Sequence, residues 1–181
     1  SQFNPDDLIW MGNVEDSGSE RHKANFKSVK EWLELETLPA RIASGTFKAG
    51  SFSRNQDNVT ASRFILIECD DIIGFEPKTI EDKARNKALT FALIKFLEDQ
   101  LNLSPSAIID TSNKSLHCWM KRPAQDQLDA LKRLSPGLRI DASTLDAPHN
   151  PLRMPHCIHI DTHQPAQLLY LKPIHNFHQN K

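Results

Sequence analysis

Among the 181 residues no apolar run approaches the roughly 20 needed to cross a bilayer, so nothing marks a membrane-embedded protein. Only three cysteines occur, Cys69, Cys118 and Cys157. An odd number without a CxxC pair argues against a disulfide framework and for reduced thiols in a cytoplasmic setting. No secretory signal pattern opens the chain, and Ser1 in place of Met reads as a piece cut from a longer protein. Neither sign of charge is in excess. A net charge of -1 gives no basic signature of nucleic-acid binding, although acidic metal-site residues would cancel basic ones in that sum. There is no internal repeat and no low-complexity tract. What is present is ordinary: 39% hydrophobic and 25% charged residues, which at this length fit one globular domain over residues 1–181.

Hydrophobic periodicity divides the chain into short elements. Leu8–Met11 is a short apolar piece, followed by a turn around Gly18. A helix is predicted from about Ser19 to Leu38, with Phe26, Val29, Trp32 and Leu33 on one face and Pro39 ending it. Residues 42–60 are polar, with Gly45, Gly50 and Asn55 marking hairpin turns. Phe64-Ile65-Leu66-Ile67 reads as a buried strand. A long helix is predicted from about Thr79 to Leu103, burying Ala84, Ala88, Phe91, Ile94, Leu97 and Leu101 along one stripe. Ala107–Asp110 and Ser115–Lys121, joined by a turn at Thr111–Lys114, read as a hairpin. A shorter helix follows at Gln125–Leu134, then strand-like pieces at Leu138–Asp141, Leu152–Met154 and Leu168–Leu171. Helices and strands interleaved with hairpins give an α+β class.

Chemistry concentrates in three places. The apolar strand ends in Glu68-Cys69-Asp70-Asp71. Alternation sends Glu68 and Asp70 to the same side, and paired carboxylates repel unless a cation lies between them or one is protonated. Mg²⁺ takes such oxygens and leaves positions for phosphate. In the later strand, alternation sets Ser115, His117 and Trp119 on a face predicted to be open to a ligand, and Leu116, Cys118 and Met120 against the helices. The turn before it carries Lys114 and suits phosphate oxygens. Third, Leu138-Arg139-Ile140-Asp141 ends in a carboxylate, and Arg153, twelve residues on, has a planar fork suited to a triphosphate. Asp146, in a Pro-rich loop, competes with Asp141 as a third carboxylate.

An acid-x-acid pair at a strand end, then Ser-x-His in a later strand, then an Asp followed by a basic residue before Pro, resembles the archaeo-eukaryotic primase superfamily. The matching stretches are Ile67-Glu68-Cys69-Asp70, Ser112 to His117 and Ile140-Asp141, with Arg153-Met154-Pro155 behind. The resemblance spans about residues 60 to 160. The first motif is Glu-x-Asp, the reverse of the commoner order of acids, and there is no Cys-rich zinc insertion. The resemblance implies an antiparallel or mixed sheet of the RNA-recognition-motif type over about 61–173. Beside it would pack an N-terminal α/β portion over about 1–60, with a polar tail at 174–181. It also implies template-directed nucleotidyl transfer, as a primase or primase-polymerase in the DNA replication of a plasmid, phage or mobile element. On this resemblance Glu68, Asp70 and Asp141 would hold two Mg²⁺ or Mn²⁺ ions. Lys114, Ser115, His117, Arg153 and His159 would bind the nucleotide. The implied partners are a single-stranded DNA template, nucleoside triphosphates and a fused or associated helicase or other replication protein, with no membrane.

Other readings compete with these. A degenerate domain of the same fold would bind nucleotide or single-stranded nucleic acid without polymerising, although such a module needs no carboxylates facing phosphates. A rolling-circle nuclease needs a His-hydrophobic-His pair and a helical tyrosine; Tyr170, the only tyrosine, lies in a strand-like run. His156, Cys157, His159 and His163 have the donor types for Zn²⁺ but lack a distant second pair, so zinc is not expected. Trp119 is a candidate for stacking on a base. Lys121, Arg122, Lys132 and Arg133 form a basic neighbourhood that would guide template if it adjoins a phosphate site. His175 and His178 in the tail have no specific role assigned.

Overall fold

The computed structural model describes residues 3–13 and 24–173. In strand β6 (Phe64–Ile67) every residue is buried, and successive side chains enter different cores. Ile65 and Ile67 join a core built with helices α2 (Ile80–Leu101) and α3 (Gln125–Leu138). Phe64 and Leu66 pack the other way, toward β1 (Leu8–Gly12), β3 (Arg41–Ala43) and β9 (Pro151–Arg153). Strand β8 (Leu116–Lys121) repeats the division: Leu116, Cys118 and Met120 enter the helix-side core, as the alternation predicts, and Trp119 the other. A strand apolar on both faces needs a covering layer on each. Helices supply one and a second sheet the other.

The central sheet has the order β10-β7-β8-β6, with β7 at Pro105–Asp110 and β10 at Gln167–Leu171. The second sheet has the order β2-β1-β3-β9, with β2 at Phe26–Ser28, and β4 (Gly45–Phe47) pairs with β5 (Val59–Ser62) as a separate hairpin. All pairings are antiparallel. Because β6 and β7 each run against β8, they run parallel to one another, joined by α2 in a split β-α-β unit. The α+β class is therefore the observed one. The two portions interlock, since β9 returns from the C-terminal half to pair with β3, Arg41 opposite Arg153 and Ile42 opposite Leu152.

Three elements differ from the sequence expectation. Over the described part of the predicted 19–38 helix, Phe26–Ser28 is a strand, and α1 (Val29–Leu33) follows it as a short helix. A capping box sets that start: Ser28 Oγ accepts from Glu31 N at 3.2 Å, and the Glu31 carboxylate accepts from Ser28 N at 2.7 Å. The Gly18 turn, with the first part of that helix, lies outside the described residues, as do His175 and His178 in the tail.

Leu138–Asp141 is not a strand. Leu138 closes α3, Arg139 takes a left-handed conformation (φ 54°), and Asp141 caps α4 (Ala142–Leu145). Pro136 is tolerated in the last turn of α3, where the Lys132 carbonyl, which a proline nitrogen cannot serve, accepts Ser135 Oγ at 2.9 Å.

The buried face of α2 is rotated from the predicted stripe. Asn86, Thr90, Leu93, Ile94 and Leu97 are buried, whereas Ala84, Ala88, Phe91 and Leu101 are exposed. Two polar residues hold core positions because both are hydrogen-bonded, which periodicity in apolar residues cannot register. The rotation predicts that Leu97→Ala costs about 2–5 kcal/mol in urea unfolding, while Phe91→Ala stays within about 0.5 kcal/mol. Equal losses at the two positions would contradict this helix orientation.

Candidate functional site

Beyond β6 the alternation continues through Glu68 and Cys69. Cys69 enters the helix-side core, its thiol pushed up to about 12 by burial, and Glu68 turns the opposite way. Glu68 Oε1 lies 3.0 Å from His117 Nε2 and accepts from Ser115 Oγ at 3.2 Å. Burial works to raise the Glu68 carboxyl. The hydrogen bond and charge of His117, the Ser115 hydroxyl and the Arg153 charge outweigh it, and the group sits below the usual carboxylate range. The acid-x-acid stretch and the Ser-x-His stretch, 47 residues apart, thus share one oxygen.

The His117 face is not open, as alternation alone had it: the residue is 5% exposed because the second sheet covers that side. Trp119 is likewise buried, its ring centroid 5.7 Å from that of Phe64, which removes it from base stacking. His117 Nδ1 is buried with no hydrogen-bond partner among the described residues. This buried ring nitrogen thus needs a partner that the described residues do not supply.

Asp70 pairs with Lys114 Nζ at 3.2 Å. Lys114 sits in a turn with its own supports. Asp110 accepts from Ser112 N at 2.7 Å and from Lys87 Nζ on α2 at 2.7 and 2.9 Å, and Thr111 Oγ1 donates to Ser115 O at 2.8 Å. Asn86, 0% exposed, ties this turn to the acidic loop. Its Nδ2 donates to Cys69 O and to Lys114 O, each at 2.9 Å, and its Oδ1 accepts from Ile73 N at 3.4 Å. Sequence reading passed over Asn86, although a polar residue four before Thr90 on the face of Ile94 and Leu97 is a legible signal.

Asp141 reaches the same end of the sheet through the α3–α4 corner. Its amide donates to Glu68 O at 2.8 Å, and its carboxylate accepts from Ser143 N at 2.8 Å as the cap of α4. Asp70, Asp71, Arg139 and Asp141 line a cavity of about 470 Å³, in which Arg139 pairs with Asp71 at 3.1 Å. The acids converge on one cleft, but each carries its own partner. Among the described residues no group of three or more His, Cys, Asp or Glu side chains is placed to hold a metal ion. Of the expected set, Asp70 and Asp141 line this one cleft, whereas the Glu68 carboxylate is turned to Ser115 and His117. Asp146 belongs elsewhere: it takes Arg122 in a forked pair and Lys132 Nζ at 2.6 Å.

The second sheet contributes Arg153, whose charge acts on both Glu68 and His159. His159 is buried and accepts from Asp161 N at 3.1 Å. Its pKa is lowered by burial and by Arg153, Lys83 and Arg41, against the opposing pull of Asp161. Beside it lies a cavity of about 610 Å³ lined in part by Arg41, Arg153, His156 and His163.

No family model matches the chain, and no curated protein does. Among solved structures it is similar to the AEP domain of the primase-polymerase (PrimPol) of cyanophage S-2L, at 18% sequence identity and a TM-score of 0.49. That alignment covers 93% of this chain and 83% of the other.

Two outcomes follow from the site's framework. Asn86→Ala strips the donor from one buried and one part-buried carbonyl and should cost about 1–3 kcal/mol. Amide exchange should quicken around residues 69–73 and 111–115, more than in Leu97→Ala at matched stability; a uniform increase would reduce Asn86 to ordinary packing. The Asp146 carboxyl is depressed, burial being outweighed by Arg122 and Lys132, so its stabilisation is complete above the unfolded value of about 3.8 and is lost as pH falls through the lower folded value. Asp146→Asn should lower the melting temperature at pH 7, with the gap to the parent closing only below about pH 4. A gap that persists at pH 2 would mean that the loss is steric.

Proposed function

We propose that the chain is a catalytic domain for template-directed nucleotidyl transfer, of the primase or primase-polymerase kind, acting in DNA replication. The observation that carries this reading is the junction at Glu68 Oε1, where the acid-x-acid and Ser-x-His stretches meet beside the Asp70–Lys114 pair. This junction supports reading the first two motifs as parts of one site.

The donors fit hard divalent cations. Glu68, Asp70 and Asp141 offer only oxygens, Asp70 and Asp141 line one open cleft, and the Asp141 amide is bonded to the Glu68 carbonyl. Mg²⁺ or Mn²⁺ held there supplies activation of an attacking hydroxyl and neutralisation of a leaving pyrophosphate. The chain's own groups do the placing. Lys114 exchanges the Asp70 carboxylate for a phosphate oxygen, His117 presents Nδ1 to the nucleotide while Nε2 stays on Glu68, and Ser115 keeps that carboxylate oriented. Arg153 adds positive charge from the second sheet, and His159, whose charged form burial and Arg153 disfavour, adds a neutral imidazole after it. Such catalysis is mostly positioning and electrostatics. The substrates are nucleoside triphosphates on a single-stranded DNA template, and a helicase or another replication protein is the expected associate.

The test is incorporation of labelled ribo- and deoxynucleotides on single-stranded template with Mg²⁺ or Mn²⁺. Asp70→Ala should lower incorporation by at least about 10²-fold and leave the melting temperature nearly unchanged, because a half-exposed ion pair contributes little. His117→Ala should weaken nucleotide binding more than metal binding. A parent protein that binds template and nucleotide yet incorporates neither would replace this reading with that of a binding domain.

A further inference from the structure

The two ends of the central sheet differ in charge. Lys121 closes β8 five residues beyond Leu116, about 17 Å from the carboxylate end at about 3.4 Å per residue. Here the ends of four strands line up. Lys172 follows β10, its amide donating to Ser106 O on β7 at 2.9 Å; Pro105 of β7 pairs with Met120 of β8; and Arg122 N donates to Arg63 O beside β6 at 2.8 Å. Three inter-strand spacings separate the first from the last, about 14 Å at about 4.8 Å each.

Two adjoining cavities, about 580 and 450 Å³, share Ser106, Lys121 and Arg122; one adds Lys172 and the other Arg63. Their lining holds these four cations and no Asp or Glu. Asp7 fixes Arg63 at 2.8 Å, and Asp146 with Ser62 Oγ (2.8 Å) fixes Arg122. Lys121 and Lys172 are exposed, and neither forms an ion pair among the described residues.

We infer that this row is a second anion site, which binds the backbone phosphates of a single-stranded nucleic acid at the sheet end remote from Glu68 and Asp70. A line of cations about 14 Å long matches charge repeated along a chain better than one compact anion. Two lysines act as point charges, and Asn102, Ser104, Ser106 and Gln127 add neutral polar groups, a set that positions a backbone without reading bases. The surface is concave, as for grooves that track one strand, whereas duplex is met by a projecting helix or ribbon. Nothing in this requires the chain to polymerise.

The test is fluorescence anisotropy of the full chain with a labelled oligothymidylate, without divalent metal, over a range of NaCl concentrations. Lys121→Gln with Lys172→Gln should reduce the slope of log K against log [salt] by about 1.4, and Lys172→Gln alone by about 0.7, at about 0.7 per phosphate contact on a single strand. The paired Arg substitutions should keep the parent slope, which guards against a folding artefact. An unchanged slope in the double variant, or no binding by the parent, overturns the inference. So does inorganic triphosphate that competes at constant ionic strength with the parent alone, since that would make this a compact-anion site. Because metal and nucleotide are absent, failure here leaves the incorporation assay unaffected, and the reverse holds equally.

Discussion

Much of this site rests on one buried side-chain amide. Asn86 lies on α2, away from every group with chemistry, yet it bonds Cys69 O and Lys114 O together. Both carbonyls belong to irregular backbone past the ends of β6 and β7, where no strand partner is available, and a buried carbonyl without a donor is expensive. The same amide accepts from Ile73 N, so the acidic loop is held on both sides of Asp70 and Asp71. A helix is a stiffer support than a loop. Hanging two loops from one helical residue fixes their spacing, and with it the distances among Glu68, His117, Asp70 and Lys114.

That fixed spacing matters because the site concentrates like charge. Glu68, Asp70, Asp71 and Asp141 meet at one end of a sheet, and their mutual repulsion would splay the loop without compensation. Each finds a different answer: His117 and Ser115 for Glu68, Lys114 for Asp70, Arg139 for Asp71, and the α4 amide for Asp141. The arrangement is electrostatically satisfied by groups that differ in how easily they leave. Lys114 and Arg139 are on flexible stems in partly exposed positions; His117 is locked in the core. Asp70 and Asp71 are therefore the carboxylates freer to change partner, and Glu68 the one held in place.

The helix-side packing was legible in part: β6 read as a buried strand, and period-two alternation in β8 sorted Leu116, Cys118 and Met120 correctly. The other face was misread for a physical reason. Ser115, His117 and Trp119 look like a polar, solvent-facing set only while no second layer is known, and the covering sheet is completed by β9, a three-residue strand from far along the chain. Local pattern carries no signal for so short and distant a pairing. Arg139 and Asp141 were placed on a strand because Leu138-Arg139-Ile140-Asp141 alternates. In the fold Ile140 is buried at a corner between two helices, where an apolar residue between polar ones is equally at home. Asn86 was missed by treating an apolar stripe as the sole criterion for burial.

The covering sheet changes what kind of site this is. With His117 in solvent, one sheet and its turn would make the whole site, and the second portion would be scaffolding. With His117 at the seam, Arg153 acts on Glu68 from the opposite layer, and Arg41 stands opposite Arg153 in register. Positive charge from one sheet thus acts on the Glu68 carboxylate of the other across a largely buried seam. Coulombic interaction strengthens as water is excluded, so the seam amplifies that pairing. The site is a property of the interface between the sheets, and a change that loosens β9 from β3 would be felt at Glu68 without touching any residue of its own sheet.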